Sequence, residues 1–280
     1  MDDPRLTPAR PDLAAKYLEG KVKAARFVTG ETFVVAEPIA PVRMAPSSDA
    51  ELMTQALKGE QATIYDRNGE GWAWGQLDRD GYVGWLPDSS LAKPQAAPTH
   101  KVTAVKTFAF PGPSIKLPPS STLVMGSLLT VTGESGAFAI TREGWHVPQV
   151  HLGNPDRFEA DFVEVAERFV DTPYLWGGKS GFGIDCSGLV QIALNAAGIG
   201  CPRDSDMQQD GLGRDVDPAQ LGNLQRGDLI FWKGHVASAR DATTIVHANA
   251  HHMATTIENT ADAIARIKAA GSEITAIKRL

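Results

Sequence analysis

The stretch Gly183-Ile184-Asp185-Cys186-Ser187-Gly188-Leu189-Val190 places a cysteine where an apolar helical pattern begins. Helical spacing of apolar residues continues to Ala197, and Gly198 predicts the end of the helix. The unpaired N–H groups and the dipole at a helix start stabilise a thiolate, so we expect a lowered pKa and a nucleophile at Cys186. Those N–H groups also suit an oxyanion hole, and the neighbouring glycines would let a substrate carbonyl approach closely. A small, buried and inert residue is the commoner fate of a cysteine, and this alternative suits Cys201 better.

Around this stretch, helical segments come first and strand-like segments follow. Asn154 as a cap and Pro155 as the first helical residue predict a helix that stops at Thr172-Pro173. After the Cys186 helix, the sequence pattern predicts strands over 228–232, 235–240 and 244–249, a short helix over 261–270 and a final strand over 274–280. Helices followed by an antiparallel sheet are typical of an α+β fold.

Two of the seven histidines suit the role of a base for the thiolate. A loop of residues 240–242 would set His235 opposite His247 across a hairpin, with β-carbons about 5 Å apart. One imidazole would then act as the base and the other would orient it. A structural or incidental pair is the more common alternative. Zinc is disfavoured because no carboxylate at metal-site spacing completes a set with His247, His251 and His252, and we expect neither metal nor cofactor.

Residues 27–150 differ from the rest of the chain, because short strand-like runs alternate with turns. Gly84-Trp85-Leu86-Pro87 is echoed by Gly144-Trp145-His146-Val147-Pro148, and Pro94 and Pro98 indicate a linker between the two copies. Two small all-β units fit this spacing; a single irregular β-sandwich is the alternative. The predicted organisation is an N-terminal extension over 1–26, β units over 27–92 and 93–153, and an α+β domain over 154–280.

Composition excludes several classes of function. The chain has 280 residues and a net charge of -6, which argues against a nucleic-acid partner. No apolar run of about 18 residues predicts a membrane span. The first residues lack the cationic and then apolar pattern of a secretory signal, so we expect a cytoplasmic protein and a monomer. Two cysteines are too few for a disulfide framework or a four-cysteine zinc site.

Six motifs over residues 156–280 resemble, in the same order, the NlpC/p60 cysteine peptidases. They are Pro173-Tyr174-Leu175-Trp176-Gly177-Gly178, the stretch 183–190, Pro202-Arg203-Asp204-Ser205, Gln225-Arg226-Gly227-Asp228-Leu229-Ile230-Phe231, Gly234-His235-Val236 and Val246-His247-Ala248. The resemblance implies a papain-like α+β fold that hydrolyses bacterial cell-wall peptides. It makes Cys186 the nucleophile, His235 the base and His247 the group that orients His235, with Tyr174 in a supporting role.

The preceding region resembles two bacterial Src-homology-3-like barrels. The resemblance rests on residues 53–60, on Asp80-Gly81-Tyr82-Val83-Gly84-Trp85, and on Trp72 and Trp74 as barrel aromatics. The second barrel lacks a tyrosine at the position of Tyr82. The predicted fold is therefore multidomain, with two small all-β Src-homology-3-like barrels followed by an α+β papain-like domain.

Two barrels ahead of such a domain resemble the γ-D-glutamyl-L-diamino acid endopeptidases of murein peptide recycling. The resemblance implies that Glu60, Tyr82 and Asp204 hold the free α-amine of the substrate, with Glu51 as a substitute for Glu60. An ammonium at a pocket end needs carboxylates to compensate its charge. Four further residues would line the same substrate-binding pocket: Trp176, Asp185, Ser187 and Ser205.

The leading hypothesis is thus a cysteine peptidase that cuts the γ-D-Glu–diamino acid bond of small murein peptides with a free N-terminal L-Ala. The diamino acid would be diaminopimelate or Lys. A related thiol amidase or acyltransferase is one alternative, since fold does not fix chemistry. A non-catalytic peptide-binding protein is the other, and the complete set of Cys186, His235 and His247 argues against it.

Overall fold

The computed structural model describes residues 3–280, with side chains throughout except at 218–220. The chain divides into two compact units, an N-terminal unit that ends at Asp156 and a C-terminal unit that begins at Arg157. Within the described residues, no helix combines the length and the apolar character needed to cross a membrane.

The first half of the N-terminal unit is a seven-stranded sheet with the order β5-β4-β8-β7-β6-β3-β9. Inward-facing side chains alternate along these strands and form one apolar core, which includes Phe33, Val42, Ile64, Tyr82 and Leu86. The seven strands are β3 (Glu31–Val35), β4 (Ile39–Arg43), β5 (Leu52–Leu57), β6 (Gln61–Arg67), β7 (Trp72–Leu77), β8 (Val83–Pro87) and β9 (Leu91–Ala92). Two short strands that precede them, β1 (Ala14–Ala15) and β2 (Phe27–Val28), pair with each other in parallel.

The N-terminal extension packs on this sheet. The Arg10 guanidinium lies 4.5 Å from the ring centre of Trp74 and 4.9 Å from that of Trp85. Its Nη2 also donates to Asp66 at 2.5 Å. The extension therefore shares the aromatic surface of the first β region, through cation–π contacts and an ion pair.

The second half of the N-terminal unit has a smaller core around Val102, Leu123, Leu129 and Val147. Its strands form separate sheets, β13-β10-β17, β11-β12 and β14-β15-β16, instead of one continuous sheet. The strands are β10 (His100–Val102), β11 (Lys106–Ala109), β12 (Ser121–Val124), β13 (Leu128–Leu129), β14 (Val131–Ser135), β15 (Phe138–Thr141), β16 (His146–Pro148) and β17 (Leu152–Gly153).

The repeated sequence motif, 84–87 and 144–148, corresponds to a repeated local structure. A 3₁₀ turn, Asp88–Ser90, joins β8 to β9, and another, Gln149–His151, joins β16 to β17. A proline precedes each turn, and a leucine begins the strand after it. Both halves of the unit thus use the same strand–turn–strand element.

The C-terminal unit contains a six-stranded antiparallel sheet with the order β20-β25-β21-β22-β23-β24. The α+β pattern predicted for this region is thus found. The elements are α1 (Phe162–Glu167), β18 (Lys179–Ser180), β19 (Gly183–Ile184), α2 (Cys186–Ala196), α3 (Ser205–Gly211), β20 (Arg214–Val216), β21 (Leu229–Trp232), β22 (His235–Ala239), β23 (Thr244–Asn249), β24 (Ala254–Asn259), α4 (Thr260–Ala269) and β25 (Ile274–Arg279).

Most predicted elements of this unit are confirmed, but the first helix is shorter at both ends than predicted, because α1 spans only Phe162–Glu167. Asp161 caps α1, because its Oδ1 accepts from the N–H of Val163 at 2.9 Å. The side chain of Asn154 instead accepts from the N–H of Asp156 at 2.8 Å and closes a local turn. Both residues are good caps, and the sequence pattern favoured the earlier one.

The predicted hairpin register is also wrong, by two residues. Ser238 pairs with Val246 and Ala239 with Ile245, so His235 is not directly opposite His247. The cause is the turn, where the Asp241 carboxylate accepts from the N–H groups of Thr243 and Thr244, both at 2.8 Å. A shift of two residues keeps both histidines on one face of the sheet, as diagonal neighbours.

Candidate active site

Cys186 is the first residue of α2, as the sequence predicted. Asp185 caps the helix, and its Oδ1 accepts from the N–H of Gly188 at 2.7 Å. The backbone N–H groups of Val236 and Ser187 lie close enough to the Cys186 sulfur to lower the pKa of its thiol. The thiol therefore lies beside β22, next to the strand position of His235.

The expected thiolate is not found, because burial raises the pKa of the Cys186 thiol to about 12. The Asp185 charge raises this pKa further, and the N–H groups of Val236 and Ser187 lower it too little to compensate. The sequence correctly places Cys186 at a helix start but does not show that the helix start is buried. In the substrate-free protein Cys186 thus carries a neutral thiol.

Arg203 fixes the segment before Cys186, and its side chain is only 1% exposed. Its guanidinium makes two bonds to the Asp185 carboxylate, Nη2 to Oδ2 at 2.7 Å and Nη1 to Oδ1 at 3.0 Å. The Nη1 group also donates to Ser187 Oγ at 2.9 Å, and Nη2 donates to the carbonyl of Gly178 at 3.2 Å. This network connects the glycine loop to the start of α2. The sequence pattern indicates no role for Arg203, although this residue lies within one of the six motifs.

Two glycines are required by close backbone packing. A Cβ atom at Gly188 would lie 2.3 Å from the carbonyl oxygen of Gly178, and one at Gly178 would lie 2.4 Å from that of Gly183. The sequence predicts that these glycines serve the close approach of a substrate. In the structure, they let α2 pack directly on the preceding loop.

The two histidines form a direct hydrogen bond despite the altered register. His235 Nε2 and His247 Nδ1 are 2.8 Å apart, and the ring of Trp232 lies against His235 with 5.6 Å between ring centres. Burial lowers the pKa of His235 to about 3, with the neighbouring His247 lowering it further. His235 is therefore a neutral imidazole at neutral pH and is able to accept a proton.

The hydrogen-bonded line continues past His247. His247 Nε2 lies 2.6 Å from Glu258 Oε1, and Glu258 in turn forms an ion pair with Arg266 on α4. Glu258 is missing from the predicted site, since strand β24 is not predicted by the sequence pattern. Pairing of Ile245 with Glu258 and of His247 with Thr256 places Glu258 diagonal to His247 on the same face.

Tyr174 and Trp176 lie on the loop before Cys186. The pKa of the Tyr174 hydroxyl is raised by burial and by the nearby Cys186 and Asp185, so the hydroxyl stays protonated and is able to donate. Trp176 is 60% exposed, so its ring is accessible to a substrate from solvent. Asp185 and Ser187 are buried instead, and Arg203 bonds to both.

The residues predicted to hold an amine belong to both units. In the N-terminal unit, Glu60 is buried, accepts from the N–H of Leu57 at 2.9 Å and pairs with Arg79 at 2.9 Å, whereas Glu51 is exposed. Tyr82 is buried in the first core. In the C-terminal unit, Asp204 is the N-cap residue of α3, and Ser205 is the first residue of that helix.

Comparison with known proteins identifies the class. Residues 42–91 match the bacterial dipeptidyl-peptidase SH3 domain, and residues 171–268 match the NlpC/P60 family. The chain therefore carries an NlpC/P60 domain preceded by a bacterial SH3 domain, as the sequence resemblance indicated.

Two curated relatives and one solved structure make the comparison more specific. Dipeptidyl-peptidase 6 of Lysinibacillus sphaericus is 33% identical over 49% of this chain and 55% of its own length. The gamma-D-glutamyl-L-lysine dipeptidyl-peptidase of Bacillus cereus is 30% identical over 65% of this chain and 60% of its own. The matches thus span little more than half of these relatives. An NlpC/P60 family protein from Bacillus cereus has the same fold, with a TM-score of 0.75, 23% identity and coverage of 89% of this chain and 99% of that one.

Proposed function

We propose that the protein is a cysteine peptidase with Cys186 as nucleophile and His235 as base. The observation that carries the proposal is the position of the Cys186 sulfur beside the N–H of Val236. Val236 directly follows His235 on strand β22. The His235 ring is oriented by its 2.8 Å hydrogen bond to His247. A nucleophile, a base and a group that orients the base are the three parts that thiol catalysis requires.

In this mechanism, the neutral thiol transfers its proton to the neutral imidazole only as the reaction begins. His235 Nδ1 takes the S–H proton while the sulfur electron pair attacks the substrate carbonyl, and the imidazolium then gives that proton to the leaving amine. Water hydrolyses the thioester by the reverse proton path. Because Asp185 occupies the N–H of Gly188, the N–H of Cys186 and the Tyr174 hydroxyl are the proposed donors to the oxyanion.

We further propose that the substrate is a small murein peptide with a free N-terminal L-Ala, cut after γ-D-Glu and before diaminopimelate or Lys. The names of the relatives and of the matching SH3 domain support this substrate class. Glu60, Tyr82 and Asp204 would recognise the ammonium, and Trp176 and Ser205 would contact the peptide. The same proposal includes a cytoplasmic role in murein peptide recycling, a second Src-homology-3-like barrel over 93–153 and a monomeric state.

The test compares L-Ala-γ-D-Glu-diaminopimelate with its N-acetylated form by mass spectrometry and by kcat/KM. The free peptide should release L-Ala-D-Glu. Acetylation removes the charge that the carboxylates compensate, and an unpaired buried charge typically costs several kcal/mol. Protein alkylated at Cys186 is the control and should cut neither peptide. Equal rates on both peptides would reject the amine requirement and leave the peptidase activity standing.

A further inference from the structure

Glu258 ends a continuous line of hydrogen bonds that begins at His235. Both ring nitrogens of His247 are engaged, Nδ1 by His235 at 2.8 Å and Nε2 by Glu258 at 2.6 Å. The His247 side chain is fully buried, and that of Glu258 is 16% exposed. The geometry leaves His247 little freedom to rotate or to exchange partners.

The chemistry of a carboxylate fixes which nitrogens carry protons along this line. An ionised carboxylate only accepts hydrogen bonds, so His247 Nε2 must carry the proton that bonds to Glu258. Burial lowers the pKa of His247, so the ring is neutral and its Nδ1 must accept. The proton between the two rings then belongs to His235 Nε2, and the lone pair of His235 is left on Nδ1.

We propose that Glu258 is a positioning residue that sets the tautomers of His247 and His235, so that His235 Nδ1 is the nitrogen that accepts the thiol proton. This role rests on the proposed peptidase function for its catalytic meaning. When the S–H bond breaks and the Nδ1–H bond forms, the imidazolium keeps its Nε2 proton, and Glu258 stays ionised. No proton moves along the line, because only the orientation and the charge of Glu258 are used.

The charges around His247 support an ionised Glu258. Burial alone would raise the pKa of Glu258, but the hydrogen bond from His247 and the charge of Arg266 outweigh it and lower this pKa. Arg266 on α4 forms the ion pair that holds the carboxylate. The charged and titratable groups that act on His247 are therefore Glu258, Arg266, His252 and His235.

The decisive variant is Glu258→Gln, which preserves shape but removes the charge and the acceptor-only character. A glutamine amide is able to accept or to donate, so His247 would populate both tautomers. The matched control is Glu273→Gln, which removes another carboxylate near α4 that pairs with a cation, Lys268 at 3.0 Å, but is exposed. Glu258→Asp keeps the charge and should therefore retain part of the tautomer preference of His247. Thermal unfolding of all three variants shows whether they fold.

The first readout is ¹⁵N NMR of histidine-labelled protein, which separates protonated from unprotonated ring nitrogens without any substrate. The unsubstituted protein and Glu273→Gln should show His235 Nε2 protonated and Nδ1 unprotonated, and Glu258→Gln should show a mixture. Because this readout needs no turnover, it distinguishes failure of the proposal from failure of the proposed function. An unchanged His235 tautomer in folded Glu258→Gln would overturn the proposal.

The second readout is the pH dependence of hydrolysis. In Glu258→Gln, kcat should fall by about 10–100-fold, the range typical when a group that orients a metal-bound histidine is removed, while KM stays close to its original value. The acid limb of kcat/KM should move to lower pH, because the Glu258 charge raises the pKa of His235. A purely structural carboxylate would lower stability without moving this limb, and that result would also contradict the proposal.

Discussion

On the side of the proposed nucleophile Cys186 (the nucleophile side), a buried guanidinium holds a buried carboxylate. On the side of the proposed base His235 (the base side), the corresponding ion pair is partly exposed to solvent. Arg203 and Asp185 have side-chain exposures of 1% and 9%. Arg266 and Glu258 have exposures of 27% and 16%. The spacing of the histidines is set mainly by the backbone ladder of β22 and β23.

Because of this difference in exposure, substitutions on the two sides should affect different properties, folding stability on one side and proton transfer on the other. Loss of a buried partner leaves an uncompensated charge in the interior, so the nucleophile side should be sensitive in folding stability. Water is able to solvate a partly exposed carboxylate, so the base side should be tolerant in stability and sensitive in proton chemistry. Substitutions on the two sides test that separation.

Replacement of the proposed nucleophile, Cys186, should have the largest effect. Cys186→Ala should remove hydrolysis, by at least about 10⁴-fold, because no other group on α2 is able to form the thioester. Cys201→Ala is the matched control, since Cys201 is also buried, and its sulfur donates to the carbonyl of Pro202 at 3.3 Å. It should retain most activity. If Cys201→Ala lost activity and Cys186→Ala retained it, the assignment of Cys186 as the nucleophile would be wrong.

On the base side, the two histidines should differ in severity. His235→Ala should lower kcat by about 10²–10⁴-fold, because it removes the proposed general base. His247→Ala should cost less, since His235 keeps its place on β22 and loses only the group that orients it. Parallel kcat and KM measurements check the order, with His151→Ala in the N-terminal unit as the control. A larger loss at His247 would exchange the two roles.

The nucleophile side should be the more sensitive in stability. Arg203→Met leaves the Asp185 carboxylate without its guanidinium partner, which should cost about 3–5 kcal/mol in the free energy of unfolding. Arg168→Met is the control, because Arg168 forms partly exposed ion pairs with Glu159 and Glu164. That loss should be under about 1 kcal/mol. Urea unfolding followed by tryptophan fluorescence measures both, and equal small losses would contradict the comparison.

The same division explains which features the sequence predicted. The α2 helix and strands β21 to β23 follow from periodicity and from motifs that are local in the chain. Arg203 and Glu258 act through partners 18 and 11 residues away. Their roles depend on which segments meet in the fold. The role of Glu258 could not be predicted because the sequence pattern did not predict strand β24. The raised pKa of Cys186 was missed for a related reason, because burial is a property of the packed domain.

The protonation states of the resting pair give a further test. Burial lowers the pKa of His235 to about 3 and raises that of Cys186 to about 12. Activity falls as pH drops through the His235 pKa, so the acid limb of kcat/KM should lie well below pH 6.5. Alkylation of Cys186 by iodoacetamide should accelerate steadily above neutral pH. A plateau in alkylation near pH 7 would instead indicate a resting thiolate–imidazolium pair.

The smallest expected effect belongs to Arg266, the partly exposed cation of the base side. Arg266→Met should cost under about 1 kcal/mol in unfolding free energy, because water is able to solvate the carboxylate that it leaves. Its effect on the pH profile should have a definite sign. The Arg266 charge lowers the pKa of His235 and the Glu258 charge raises it, so Arg266→Met should move the acid limb to higher pH while Glu258→Gln moves it to lower pH. Opposite shifts with little loss of stability would show that the base side acts through charge. Shifts in the same direction, or a stability loss as large as that of Arg203→Met, would mean that both sides of the site are held in the same way.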